Sequence, residues 1–218
     1  MTITAVVPIR KGSQRVENKN LRPFAHSNLL EIKLEALKSI KQIDQIIVNT
    51  NSEKAIQIAK KHKVDFYRRE EYYASSECTN TEHWFNLAET TETDYFMHTP
   101  CTAPLIKKTT YSQIIDKFKS NLNLGFDSIN TAALVKDYLY LNNKTLNFDP
   151  KKVPNSQNLP DIYKPTFGVS IISREKMMLR KNVVGDKPHF YVLDDIESVD
   201  IDYPIDFEFA EFLYKKML

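Results

Sequence analysis

Cationic and hydrogen-bonding side chains crowd one short stretch near the start of the chain. Arg10, Lys11, Gly12, Ser13, Arg15, Asn18, Lys19 and Asn20 follow directly on the apolar run Ala5-Val6-Val7-Pro8-Ile9. Such a run reads as a buried parallel strand, and its abrupt end in a basic loop is how open α/β sheets collect anions at their strand ends. Backbone N–H groups and the four cations Arg10, Lys11, Arg15 and Lys19 can converge there on phosphate oxygens. Gly12 lets the backbone pass close to a ligand, and only 4 of the 218 residues are glycine. A solvated basic loop after an edge strand has the same composition, so the stretch alone leaves both readings open.

The second group lies near the other end, in Glu197-Ser198-Val199-Asp200-Ile201-Asp202. If this run is extended, Asp200 and Asp202 point to one face, about two residue rises of ~3.3 Å apart. Carboxylates so placed suit Mg²⁺ carrying nucleotide phosphates, because that ion takes a few carboxylates and keeps its own waters. Asp202 also stands just before Tyr203-Pro204, where it could simply cap a final helix. Spacing does not decide between the two.

Composition removes several classes. A net charge of +2, from 30 basic and 28 acidic residues, gives no case for a nucleic-acid partner. Cys78 and Cys101 have neither metal-ligand spacing nor the density of a disulfide scaffold, and are expected to be reduced thiols of a cytoplasmic protein. No signal peptide is expected, since the first apolar stretch stops at Arg10, and no run approaches a membrane span. The chain has no Gly-x-x-x-x-Gly-Lys-Ser/Thr loop, no Gly-x-Gly-x-x-Gly and no Gly-x-Ser-x-Gly. Its five histidines lack zinc spacing; His98, at a strand end, reads as a core histidine or as a base.

The elements that must position these groups alternate. Leu29 to Ile40 has helical apolar spacing, with Glu31, Lys33, Glu35 and Lys38 on the opposite side, which marks a packing helix. Ile43 to Val48 is a strand, and Ser52 can cap the helix Glu53 to Lys61. Strands follow at 64–67, 94–98, 128–134, 166–173 and 187–192, with helices at 79–90, 109–118 and 205–216. This order predicts parallel pairing with right-handed crossovers. Residues 138–148 read as a hairpin around the polar turn Asn142-Asn143-Lys144. Residues 149–165, with prolines at 150, 154, 160 and 165, read as an irregular binding lid or subunit-contact arm.

Arg10-x-Gly12-Ser13, then Lys19-Asn20-Leu21, resembles the opening signature of the CMP-acylneuraminate synthetase family, cytidylyltransferases that activate sialic acids and related 3-deoxy-ulosonic acids. The resemblance runs from about Thr4 to Phe212. It takes in Ser198-Val199-Asp200-Ile201-Asp202 with Asp206-Phe207, where it implies a metal site. It also implies that Arg69 and Asn80 read the cytosine base, that Thr102-Ala103-Pro104-Leu105 corresponds to a Thr-Ser-Pro-Leu loop, and that Gln157 and Lys164 lie where the sugar acid binds. The sequence departs from the family pattern at Asn51, Ser76-Glu77, Pro100, Ser156 and Lys164, the last two standing in place of arginines. Lys164 can meet a carboxylate as a point charge but without bidentate geometry.

The resemblance thus implies a Rossmann-like α/β fold of the nucleotide-diphospho-sugar transferase type, its mostly parallel sheet flanked by helices. The nucleotidyltransferase domain would comprise residues 1–135 and 166–218, with a hairpin and Pro-rich arm at 136–165 for dimerisation or substrate closure. The implied activity joins CTP and a keto sugar acid into a CMP-sugar with release of pyrophosphate. Arg10, Lys19, Asp200 and Asp202 would be catalytic, and Arg10, Gly12, Ser13, Lys19, Asn20, Arg69, Asn80 and Thr102 would bind nucleotide. Mg²⁺ would sit on Asp200 and Asp202, in a homodimer serving surface-polysaccharide synthesis. Alternatives are a sugar-1-phosphate nucleotidyltransferase, which a Gly-poor first loop disfavours, a catalytically silent nucleotide-binding homologue, and an assembly subunit using the arm.

Overall fold

The computed structural model describes residues 1–13 and 15–217. The strand β1 (Ile3–Ile9) is the apolar run noted above, and all of it but Pro8 is buried. A small hairpin, β2 (Pro23–Phe24) and β3 (Ser27–Asn28), leads into α1 (Leu29–Lys38), whose N-terminus is capped by Asn28 Oδ1 accepting from the Glu31 N–H. Next come β4 (Gln45–Thr50), α2 (Glu53–Lys61) capped by Ser52 as expected, and β5 (Asp65–Arg68). The short α3 (Glu71–Ala74) precedes α4 (Asn80–Glu89), which opens on a reciprocal capping box between Thr79 and Glu82. The chain continues through β6 (Tyr95–His98), α5 (Lys108–Leu122) and β7 (Ser128–Val135).

The polar turn at Asn142-Asn143 forms the expected hairpin, β8 (Tyr140–Leu141) with β9 (Lys144–Thr145). Both asparagines have left-handed φ, 50° and 63°, as a tight hairpin turn demands. One turn of 3₁₀ helix at Ser156–Asn158 interrupts the Pro-rich stretch. The strand β10 (Ile162–Ser173) then starts four residues before the predicted 166. Proline at 165 had argued against a strand, but it sits beside a register shift between Pro165 and Ser170, where a ladder tolerates the missing donor. The chain closes with α6 (Arg174–Arg180), β11 (Pro188–Val192) and α7 (Pro204–Met217).

Seven strands form one sheet in the order β11-β7-β10-β6-β1-β4-β5. β1 lies parallel between β4 and β6, β5 extends that parallel set, and β10 is reversed between β6 and β7. The chain leaves β1 toward β4 and β5 and later returns to its other side at β6. This reversal of direction is the place where open α/β sheets bind ligands. The loops after β1, β4, β5 and β6, at Arg10, Asn51, Arg69 and Thr99, share that edge.

One side of the sheet is covered by α1 and α5, through Leu29, Leu30, Leu34, Leu37, Ile114, Ile115 and Phe118, all buried. Lys33 departs from the expected polar face of α1, since it is only 2% exposed. α7 packs through Phe207, whose ring meets Phe24 edge-on at 5.3 Å, and so holds the chain just before it against the β1 loop. The β10 bulge is tightly packed. A Cβ on Gly168 would come within 2.8 Å of Ile106 Cδ1 and 2.9 Å of the Ala103 Cβ. Gly168→Ala is therefore expected to cost about 1–3 kcal/mol by overpacking, read as a lower urea midpoint at unchanged slope; an unchanged midpoint would contradict the packing described.

Candidate active site

The β1 loop is built by its own turns and by the chain it leans on. Gly12 takes φ +74° and Asn18 φ +51°, left-handed backbone at two points of the loop. Val16, 2% exposed, anchors the middle, the Lys19 N–H donates to the Val16 carbonyl at 3.2 Å, and Leu21 and Arg22 donate to the Asn18 carbonyl. Asn51 fixes the start of the loop by accepting from the Lys11 N–H at 2.8 Å, while its amide nitrogen donates to Glu71.

The far end of the loop is tied to the acidic segment. Lys19 is 9% exposed, its ammonium donates to the Ile201 carbonyl, and it stands 4.0 Å from Asp202 Oδ1. Arg15 donates to the same carboxylate oxygen at 2.7 Å, and its guanidinium lies over the Tyr203 ring at 5.1 Å. Asp202 does not cap α7. The roles are reversed, with Asp206 Oδ2 accepting from the Asp202 and Tyr203 N–H groups at 3.0 and 2.7 Å. That leaves the Asp202 carboxylate free to face the β1 loop.

Burial pulls the Lys19 ammonium below the ordinary lysine range against the opposing charges of Asp202 and Asp200. Burial also raises the Asp200 carboxyl, and Asp202 adds to the rise; Thr102, Lys19 and Lys164 hold it down. Asp200 Oδ1 is buried without a hydrogen-bond partner. A cation placed there would relieve both the desolvated charge and the orphaned oxygen. Among the described residues no group of three His, Cys, Asp or Glu is placed to hold a metal, so two hard carboxylates would suit a Mg²⁺ that completes its shell with phosphate and water.

Beside this junction lies a cavity of about 540 Å³, lined by Arg10, Ser13, Lys19, Asn20, Arg69, Asn80 and Thr102 among others. Seven of the nucleotide-binding residues expected from the sequence thus meet in one place. Gly12 lies instead on a second crevice of about 600 Å³ across the loop, which shares Arg10 and Asn20 with the first and adds Lys11, Arg22, Lys54 and Arg68. Pro100 also lines the main cavity, whereas Ser76 is exposed outside its lining. Lys164 is close enough to stabilise the Asp200 carboxylate. Gln157 is exposed on the 3₁₀ turn, and Ser156 beside it is exposed too; the structure does not bring Gln157 to the cavity.

Several supporting contacts are not legible in the sequence. Arg69, 4% exposed, donates from Nε to Asn49 Oδ1 and from Nη2 to the Asn49 carbonyl, both at 2.6 Å, so β4 aims it into the cavity. Burial lowers its pKa to about 10, which leaves it charged at neutral pH. Glu197 Oε1 accepts from the Lys107 N–H and the Thr110 hydroxyl, each at 2.7 Å, a cap for α5 delivered from a distant segment. His83 lines the cavity. His98 proves to be a core residue, 7% exposed and absent from the cavity lining.

Known proteins share this fold. The solved structure of CMP:2-keto-3-deoxy-manno-octonic acid synthetase complexed with CTP superposes with a TM-score of 0.68 at 12% identity, over 100% of both chains, and so shares the fold. A family model described as Cytidylyltransferase matches residues 4–218, and the chain belongs to that family. It is therefore a CTP-dependent nucleotidyltransferase. It is 29% identical to a pseudaminic acid cytidylyltransferase of Campylobacter jejuni, over 96% of this chain and 95% of that protein. It is 26% identical to an N-acylneuraminate cytidylyltransferase of Escherichia coli, over 98% of this chain but only 52% of that protein.

Burial depresses His83 to a pKa of about 3 and His98 to about 4, from 6.5. Both fold neutral, so the unfolded chain binds more protons below pH 6.5 and stability falls as pH drops toward the folded values. Between pH 6.5 and about 4.5, above most carboxylate titration, His98→Leu is expected to flatten the loss by up to about 1.4 kcal/mol per pH unit. Urea unfolding across that range measures it; an unchanged slope would place His98 in water.

Proposed function

We propose that the chain transfers the cytidylyl group of CTP to a 3-deoxy-2-keto sugar acid of the sialic, pseudaminic or legionaminic type. The observation that carries the reading is the tie between the β1 loop cations Arg15 and Lys19, which line one nucleotide-sized cavity, and the Asp200–Asp202 segment behind them, whose carboxylates are not part of the lining. Relatives named for N-acylneuraminate, pseudaminic acid and N,N'-diacetyllegionaminic acid chemistry support the substrate class.

In this reaction the anomeric hydroxyl of the sugar acid attacks the α-phosphorus, a new P–O bond forms, the bond from that phosphorus to the α–β bridging oxygen breaks to release pyrophosphate, and the hydroxyl proton passes to solvent. Arg10, Ser13 and Lys19 bind the phosphate oxygens and hold the leaving group in line. Arg69, fixed by Asn49, and Asn80 at the start of α4 read the base edge. Asp200 and Asp202 would hold Mg²⁺, which supplies charge neutralisation on the phosphates and lowers the pKa of a coordinated hydroxyl. Lys164 meets the acid's carboxylate as a single point charge.

The arm at 136–165 is the homodimer contact in this reading. Tyr138, Tyr140, Leu141, Leu146 and Val153 on it are all exposed, a concentration of apolar side chains that suits a subunit surface, and pairing through it would bring Gln157 toward a neighbouring site. A cytoplasmic location fits a nucleotide-consuming synthetase with two free thiols.

Pyrophosphate release from each of the four nucleoside triphosphates, with Mg²⁺ and a panel of eight- and nine-carbon keto sugar acids, tests the reading. Release is expected with CTP and one class of acid, and Asp202→Asn is expected to lower kcat by about 100-fold or more. Equal rates with UTP, or full turnover by Asp202→Asn at saturating Mg²⁺, would overturn it. CTP binding without release from any acid would favour a silent homologue.

A further inference from the structure

Lys33 is a buried cation with no carboxylate to pair with. It projects from the middle of α1, is 2% exposed, and forms no ion pair among the described residues. Its ammonium donates to the Tyr111 hydroxyl on α5, to the Ala103 carbonyl at 3.2 Å and to Thr99 Oγ1 at 3.4 Å. Three acceptors match its three protons. Burying an unpaired charge is costly, and an apolar side chain of similar volume would stabilise such a position more.

What the ammonium holds is the loop after β6. Thr99 and Ala103 are the two ends of the five-residue stretch that carries Pro100 and Thr102 into the cavity. The Thr102 carbonyl accepts from the Ile201 N–H at 2.9 Å, between Asp200 and Asp202, and the Ile201 carbonyl in turn accepts from Lys19. A fixed chain of contacts therefore runs from Lys33 through the β6 loop to the acidic segment and the β1 loop.

We propose that Lys33 is a positioning residue for cytidylyl transfer, clamping the Thr99–Ala103 loop so that the segment carrying Asp200 and Asp202 stays in register with Lys19. The inference rests on the proposed function for the roles of Asp200 and Asp202. Misplacement of reacting groups by about 1 Å can cost a factor of 100, so a clamp that touches no substrate still governs rate.

Lys33→Met keeps the length and removes the ammonium. It is expected to lower kcat about 10- to 100-fold at temperatures well below its unfolding midpoint, where the folded fraction equals that of the wild type. Cys101, 1% exposed inside the clamped loop, is expected to react faster with a thiol reagent in this variant, as read peptide by peptide so that Cys78 is scored apart. Tyr111→Phe removes one acceptor, keeps the ring, and is expected to fall between wild type and Lys33→Met in both readouts, which preserves the test if Lys33→Met does not fold. A lower midpoint with wild-type kcat and wild-type Cys101 labelling would make Lys33 a fold residue only and overturn the proposal. An inactive wild type would instead fail the functional reading, while the labelling contrast would still report on the clamp.

Discussion

The site depends on one buried contact, the ammonium of Lys19 donating to the carbonyl of Ile201. These residues are 182 positions apart in the chain, and the more exposed Arg15 reinforces the tie through Asp202 and the Tyr203 ring. A cation largely taken out of water needs a hydrogen-bond acceptor and a compensating charge, and the Ile201 carbonyl flanked by Asp200 and Asp202 supplies the first while the two carboxylates supply the second. The rest of the architecture brings the two ends of that bond within reach. β1 at the sheet centre delivers the loop, and α7, seated on Phe24 through Phe207, delivers the acidic segment.

Charge is balanced at this junction in a way suited to an exchange of partners. Asp202 is held by Arg15 and Lys19, while Asp200 is desolvated and keeps one oxygen orphaned. A nucleotide triphosphate bringing its own cation would offer the lysine and arginine phosphate oxygens and offer the carboxylates a metal. The groups that now neutralise one another would each gain a ligand partner. In the proposed reaction, binding would re-sort these existing pairs.

Much of this was legible because it is local. The Val-rich run of β1, the basic loop that ends it, the Ser52 cap, the Asn142-Asn143 turn and the Asp-x-Asp spacing are each written within a few residues. The capping box between Thr79 and Glu82 is just as local but was not part of the expectation, which put the helix only at 79–90; the structure opens α4 at Asn80 behind the Thr79 cap. Tertiary partners were not legible. Periodicity counts Lys33 as polar and assigns it to water, and nothing nearby in sequence announces Tyr111 or the β6 loop as its acceptors. Pro165 concealed the first third of β10 for the same reason, since the bulge that tolerates it is defined by pairing with β7. Arg69 was found by resemblance, but its support by Asn49 is a property of the β4–β5 edge alone.

The most direct test of the account is calorimetric, the Kd of CTP with and without Mg²⁺ in the wild type and in Lys19→Met. If the β1 loop and the acidic segment act as one site, Mg²⁺ tightens CTP binding by at least about tenfold in the wild type, and Lys19→Met loses most of that gain along with affinity. A CTP affinity indifferent to Mg²⁺ in the wild type, or a Mg²⁺ gain fully retained without Lys19, would contradict it.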